Sequence, residues 1–165
     1  MQIIKGVEIV EDSFVHVAND AEVPAQGDVI VSLARFAEER DALRARAGKV
    51  GVRLASNEEA HLVVPYLADV ALIAIEFPTF KDGRGYTTAR LLRDRHGYKG
   101  ELRAVGDVLR DQLRAMRRCG FDAYELKAGK DIQGALQAFG EFSETYQGAA
   151  DDPRPLYQRR NRAAI

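Results

Sequence analysis

The 165-residue chain is poor in the residues that build redox and metal centres. It contains one cysteine, Cys119, three histidines and no tryptophan. A single thiol forms no intrachain disulfide, and a four-thiolate zinc or iron–sulfur site cannot be assembled from this chain alone. The histidines share no metal-ligand spacing, so we predict no metal site, no cluster and no haem. No G-x-G-x-x-G fingerprint is present, which leaves only a non-covalently bound flavin or nicotinamide as an open question.

Long apolar runs are also missing. No stretch reaches the ~18 apolar residues of a membrane-spanning helix, and the N-terminal MQIIKGVEIVEDSF lacks the basic start and apolar stretch of a secretory signal. We therefore expect a cytoplasmic protein with no membrane partner. Hydrophobic residues make up 46% and charged residues 30% of the chain, a composition typical of one globular domain.

The formal net charge of -1 conceals a segregation of charge. Residues 81–118 contain 11 basic and 5 acidic residues, a balance of +6, and the rest of the chain contains 13 basic and 20 acidic residues. Such a basic surface can orient an anionic partner; the alternative is a set of solvated helix surfaces. The slightly acidic chain has no aromatic residues interleaved with the basic stripe of Arg110, Arg114, Arg117 and Arg118, and it has no nucleic-acid-binding module, which argues against a nucleic-acid partner.

Strand and helix signals alternate along most of the sequence. In residues 1–27, IIKGVEIV and FVHVA flank the turn EDS and predict a hairpin followed by a connector. Five further strands are predicted at 28–33, 50–55, 70–77, 101–106 and 122–126. Their 20–31-residue spacing fits crossover connections, which make neighbouring strands parallel.

We predict an α/β fold from this pattern. It consists of an open, mostly parallel five-stranded sheet with flanking helices on both faces, plus the N-terminal β-hairpin. A partial β/α barrel is the alternative, because the sequence does not fix the strand order. The predicted division is a hairpin and connector at 1–27, an α/β domain at 28–147 and a basic C-terminal tail at 148–165.

Parallel sheets bind ligands where their strands end, which points to the loops after the third and fourth predicted strands, and we predict that these two loops are adjacent. The first loop, EFPTFKDGRGY, combines a strand-end acid, basic side chains and two glycines that favour tight turns. In the second, Asp107 is predicted to cap a helix or to face the arginines. The three histidines and Cys119 receive structural roles. The predicted anion- or partner-binding residues are Glu76, Lys81, Asp82, Gly83, Arg84, Gly85, Asp107, Arg110 and Arg114.

Three segments carry a family resemblance: VGVRLASNEE, the long run from IAIEFPTFKDGRGYTTARLLR through ELRAVGDVLRDQLRAMRRCGFDAYEL, and YQRR. They resemble domain-of-unknown-function family 934, a bacterial family described as an oxidoreductase or accessory protein of sulfite reduction. The resemblance covers roughly residues 29–160, and members are typically encoded beside sulfite reductase and sulfate-assimilation enzymes. It implies a role in assimilatory sulfur metabolism and supplies no catalytic residue.

We therefore expect an accessory protein that docks on sulfite reductase or its ferredoxin-like electron donor through the basic surface. The alternative is a small α/β enzyme that acts on an anionic sulfur compound, such as a small sulfur oxyanion, held by Lys81, Arg84 and Arg110. The residues alone do not decide whether the chain is an enzyme.

Overall fold

A computed structural model describes residues 1–160 of the chain. Within these residues the strands are β1 (Gln2–Lys5), β2 (Glu8–Glu11), β3 (Phe14–His16), β4 (Asp28–Ser32), β5 (Val50–Leu54), β6 (Leu72–Phe77), β7 (Glu101–Gly106) and β8 (Ala123–Tyr124). The helices are α1 (Leu33–Glu38), α2 (Arg40–Ala45), α3 (Ala60–Val63), α4 (Arg84–Asp94), α5 (Leu113–Arg118), α6 (Ile132–Ala135) and α7 (Leu156–Arg160). Short 3₁₀ turns lie at Val64–Tyr66, Arg110–Gln112 and Leu136–Gly140.

All eight strands form one sheet. Strands β3 to β8 are parallel and lie side by side in chain order, β1 pairs antiparallel with β8, and β2 pairs antiparallel with β1. Because right-handed crossovers between sequential parallel strands all pass over the same side, the helices share one face. The main core reflects this arrangement, since Phe36, Leu92 and Met116 from helices pack in the same cluster as Val31 and Ile75 from strands.

The sheet curls until its two edges approach each other. Edge strands β2 and β3 are separated in the chain only by Asp12 and Ser13. In a flat sheet, five strand spacings would hold β3 and β8 roughly 24 Å apart. Nevertheless, Nε2 of His16 at the end of β3 lies 2.9 Å from Oε2 of Glu125, just beyond β8. The structure is therefore a partial barrel with its helices outside, which confirms the predicted alternative.

Two features of the predicted open sheet are wrong. The five predicted parallel strands correspond to β4–β8 with no boundary off by more than two residues, but the N-terminal strands join the same sheet and the helices cover one face only. The predicted hairpin turn at EDS is also wrong. The turn lies within IIKGVEIV at Gly6 and Val7, where Gly6 adopts a φ of 63° that favours glycine. The predicted adjacency of the loops after β6 and β7 is confirmed.

The inner face of the curl has a small core of its own. It is formed by Ile30, Leu72, Ala74 and Val105, all buried, with Phe14 packed against them. These residues come from four different strands and fill the middle of the curl. The inner face therefore has a solid floor between its two ends.

A buried ion network closes the amino-terminal end of the inner face. The Arg103 guanidinium donates to the Asp12 carboxylate at 2.7 and 3.1 Å and to Oε1 of Glu101 at 2.8 Å. It also lies 5.4 Å from the centre of the Phe14 ring, and Lys5 Nζ reaches Glu101 at 2.8 Å. Asp12 belongs to the two-residue link between β2 and β3, so the network ties this link to β7.

The C-terminal part of the chain packs outside the helices with little regular structure. The amide of Ala150 donates to the carbonyl of Arg118 at 3.0 Å, and Ala149 is buried. Residues 161–165 of the predicted basic tail lie outside the described residues, and the predicted division into 1–27, 28–147 and 148–165 stays a prediction. No helix within residues 1–160 is long and apolar enough to cross a membrane.

Candidate functional site

Four ionisable side chains line the inner face where the parallel strands end. Successive strand residues alternate between faces, so Glu76 shares the inner face with the core residues two and four positions before it. The same alternation places His16 with Phe14 on β3, Arg53 with Gly51 on β5, and Glu125 beyond β8 on this face. We call the side chains of His16, Arg53, Glu76 and Glu125 the inner mouth.

His16 and Glu125 form the cross-sheet contact of the inner mouth. The two residues are 109 positions apart, and the 2.9 Å distance joins Nε2 of the imidazole to Oε2 of the carboxylate. An ionised carboxylate only accepts hydrogen bonds, so it holds the proton of a neutral imidazole on Nε2. Nδ1 then presents its lone pair, and it has no hydrogen-bond partner within residues 1–160. The side chains are 27% and 21% exposed, which keeps them in reach of solvent.

Arg53 and Glu76 form a looser pair on neighbouring strands. Arg53 Nε lies 3.9 Å from Oε2 of Glu76, beyond the ~2.7–2.9 Å of a charge-assisted hydrogen bond. The two side chains are 33% and 37% exposed. Arg103 on the same face donates hydrogen bonds to two carboxylates. The two arginines of the inner face therefore differ in the number of hydrogen bonds that they make.

The loop after β6 holds most of the predicted site residues at the rim of the sheet. The Asp82 carboxylate binds Arg84 through two contacts, Nε to Oδ1 at 3.0 Å and Nη2 to Oδ2 at 2.6 Å, and Arg84 Nη2 also donates to Ser56 Oγ at 2.9 Å. The Arg84 side chain and amide hold the pKa of Asp82 well below its usual range. The charge of Arg84 is thus matched within the loop, while Lys81 beside it is exposed.

The two glycines of this loop do not serve the tight turn that the sequence predicts. Neither has a positive φ. Gly83 precedes α4 at a φ of -91° and has open space around it. A Cβ on Gly85 would lie 2.7 Å from Cζ of Phe77 and 3.0 Å from Cγ2 of Ile75. Gly85 therefore allows the start of α4 to approach the sheet.

Asp107 fastens the loop after β6 to the loop after β7. Its Oδ2 accepts from the Phe80 amide at 3.0 Å, and its Oδ1 lies 2.9 Å from Lys127 Nζ. The hydrogen bond from Lys127, and then that from the Phe80 amide, lower the pKa of Asp107. The predicted N-cap role is wrong, because the helix begins only at Leu113 after a 3₁₀ turn. Asp107 is instead a brace that holds Phe80, whose side chain is 47% exposed.

Arg110 and Arg114 contact the C-terminal segment. Arg110 Nη2 donates to Oε1 of Glu141 at 2.8 Å, and the Arg114 guanidinium lies 4.1 Å from the centre of the Phe142 ring. Within residues 1–160, no hydrogen bond or ion pair joins either arginine to the loop residues 81–85. The structure thus distributes the predicted residues over the inner mouth, the loop rim and the C-terminal contact surface.

Three inner-mouth residues were missed from the sequence. The signal for Arg53 and Glu125 was present, because each lies near a strand end, two positions after a strand residue that faces inward, as Glu76 does. His16 was assigned to a hairpin strand, which hid its place at the end of a parallel strand. Within the described residues, no three His, Cys, Asp or Glu side chains are grouped to hold a metal ion.

Comparison with known proteins identifies the family. Residues 51–157 match the model of a family described as bacterial protein of unknown function, DUF934, and the chain belongs to that family. The matched region includes Arg53, Glu76 and Glu125, while His16 lies before it. No curated protein and no solved structure matches the chain significantly.

Proposed function

We propose that this protein is a cytoplasmic accessory protein of assimilatory sulfite reduction, which docks on sulfite reductase or on its ferredoxin-like electron donor. The sulfur context rests on the sequence resemblance. The observation that carries docking is the braced loop after β6, which presents an aromatic ring and a lysine to solvent.

The loop has the chemistry of a contact surface. The Phe80 amide is held by Asp107, and its carbonyl accepts from the Gln112 side chain at 3.4 Å, so little backbone order has to be gained on binding. Three lysines belong to the same part of the structure: Lys81 follows Phe80 in the chain, Lys127 contacts the Asp107 carboxylate, and the charge of Lys130 acts on that carboxylate. We call Phe80, Lys81, Lys127 and Lys130 the rim surface. An exposed aromatic side chain together with lysines fits an acidic partner with an apolar recess.

The proposed surface is narrower than the predicted basic one. Arg84 contacts Asp82 and Arg110 contacts Glu141, so their charges are matched within the chain. The same two pairs weaken the alternative in which these arginines hold an anionic sulfur compound beside Lys81. Docking through the rim surface needs neither arginine.

Binding to purified partners tests the proposal. Sulfite reductase and the ferredoxin-like donor of the native host are titrated separately with the wild type, Phe80→Ala and Lys81→Glu at low salt. We expect one partner to bind the wild type, and each substitution to weaken binding about tenfold or more, as loss of an interface anchor does. Added salt should reduce the difference between wild type and Lys81→Glu.

Lys99→Glu is the matched control, because it makes the same charge change at an exposed lysine ahead of the opposite strand end. It should bind like the wild type. The proposal fails if neither partner binds the wild type at low salt, or if the control weakens binding as much as Lys81→Glu.

A further inference from the structure

We propose that the inner mouth is a small-ligand site, in which Arg53 binds an oxyanion group and the His16–Glu125 pair accepts and returns a proton. The ligand class is a small oxyacid anion that carries one dissociable proton. This proposal is independent of docking through the rim surface, because it uses different residues on the inner face of the sheet.

The two ends of the inner face differ in whether their charged groups are free to contact a ligand. At the amino-terminal end, Arg103 and Asp12 are 2% exposed and satisfy each other. Between the ends, Leu72, Ala74 and Val105 are buried and leave a filled floor. At the carboxyl end, charged groups stay partly exposed above that floor. Ligands of parallel α/β folds bind at this end of the strands.

His16 and Glu125 have the arrangement of a proton-transfer pair. The Glu125 carboxylate accepts the Nε2 hydrogen bond, fixes the tautomer and stabilises the imidazolium that forms on proton uptake. Nδ1 accepts the proton from a hydroxyl or acid group of the ligand, so the ligand loses one proton and the imidazole gains one. The reverse transfer restores the neutral imidazole.

Arg53 supplies donors that the fold leaves unused. Its side chain donates no hydrogen bond within residues 1–160, and Glu76 remains 3.9 Å away. A guanidinium presents its N–H groups in a planar fork that matches two oxygens of a carboxylate or tetrahedral oxyanion. Glu76 orients this group by charge without occupying the fork. The buried Arg103, with two carboxylates in contact, shows the saturated state that Arg53 lacks.

The buried apolar residues of the inner face limit the size of the ligand. Ala74 lies beside Arg53 in register, and Val105 lies beside Glu76. Because both are buried and the core beneath them is filled, the ligand rests on the floor and does not enter a deep cavity. The site therefore suits an anion of few heavy atoms.

Titration of the full chain with inorganic phosphate, and separately with sulfite, tests the inference by NMR of the histidine rings. We expect saturable shifts at His16 and at the Arg53 amide, with His61 unchanged as an internal control. Before titration, the ring nitrogens of neutral His16 should show the proton on Nε2. If the site requires a tetrahedral oxyanion, phosphate should saturate it and sulfite should not. If the site accepts any small oxyanion, both anions should saturate it.

Variants separate the roles of the two pairs. Arg53→Gln should weaken binding about tenfold or more, through loss of a charge-assisted contact. Arg44→Gln, at an exposed arginine paired with Asp69, should leave binding unchanged. Glu125→Gln should alter the ring tautomer signature of His16. Arg53→Lys, which keeps the charge and loses the fork, should show a partial loss and serves if Arg53→Gln does not fold.

Three results would overturn the proposal. The first is the absence of saturable shifts with either anion. The second is equal binding by wild type and Arg53→Gln. The third is a neutral His16 ring protonated on Nδ1, since Glu125 would then not set the tautomer.

Discussion

Two arginine–carboxylate pairs of this protein have nearly the same N–O distance and differ in burial. Arg103 meets Asp12 at 2.7 Å with both side chains 2% exposed, whereas Arg110 meets Glu141 at 2.8 Å with side chains 51% and 48% exposed. The comparison contrasts a buried arginine held by two carboxylates with an exposed arginine held by one. We predict that Asp12→Ala is strongly destabilising and that Glu141→Ala is nearly neutral.

The magnitudes follow from what each substitution leaves behind. Removing one partner of a buried pair typically costs about 3–5 kcal/mol. Glu101 still contacts Arg103 at 2.8 Å, so we expect the lower end, about 3 kcal/mol, for Asp12→Ala. An exposed pair contributes about 0–1 kcal/mol, which bounds the loss for Glu141→Ala. Since single domains have about 5–15 kcal/mol of stability, the first loss is a large share of the total.

Urea unfolding followed by circular dichroism measures both losses. With a slope of about 2 kcal/mol per molar, Asp12→Ala should lower the midpoint by about 1.5 M and Glu141→Ala by less than about 0.5 M. The double variant with Asp12→Ala and Arg103→Met should be more stable than Asp12→Ala alone, because it removes a buried guanidinium that has lost one of its two carboxylates. Equal midpoints for the two alanine variants, or strictly additive losses in the double variant, would refute the reasoning.

Two further predictions concern the loop after β6. Gly85→Ala should lower the free energy of unfolding by about 1–3 kcal/mol because the new methyl overpacks the sheet contact, while thermal melts of the control Gly83→Ala should stay close to the wild type, since that position has open space. Because the pKa of Asp107 is lowered, its carboxylate stays ionised at pH values below the ordinary aspartate pKa of ~3.9. The hydrogen bond from the Phe80 amide to this carboxylate should therefore weaken only as the pH falls through the lowered pKa. The Phe80 amide shift should titrate below the ordinary aspartate pKa, and Lys127→Met should raise the midpoint; a midpoint unaffected by Lys127→Met would contradict the assignment.

The individual strands of the parallel sheet were predictable because each is a compact apolar run bounded by helix or turn signals. Strand order was not, since crossovers of 20–31 residues fit both a sequential and a doubly wound sheet. The sequence does hold a signal for the sequential order. Gly51, Arg53, Glu101 and Arg103 occupy alternate positions of two strands, and a face covered by helices would be apolar there.

The functional surfaces were harder to predict, because partners come from segments without a periodic pattern. Arg110 and Arg114 were predicted as binding residues, but nothing in the sequence pointed to Glu141 and Phe142, which contact them from a region of short turns. The role of His16 could not be predicted, for a different reason. Its role depends on the curl of the sheet, and no local pattern around it encodes a contact 109 residues away.

The inward-facing side chains of β6 and β7 form three layers. β6 places Leu72, Ala74 and Glu76 inward, and β7 places Glu101 and Arg103 on the same face. Because alternate residues face inward, a six-residue strand contributes three layers. The ion network uses Glu101 and Arg103 of the first two layers, Leu72 and Ala74 are the apolar residues beside them, and the third layer pairs Glu76 with Val105. Asp12 of the ion network and His16 of the inner mouth lie close together in the chain, in the link before β3 and at the end of β3. The buried network therefore also fixes the backbone that carries His16, the proposed base.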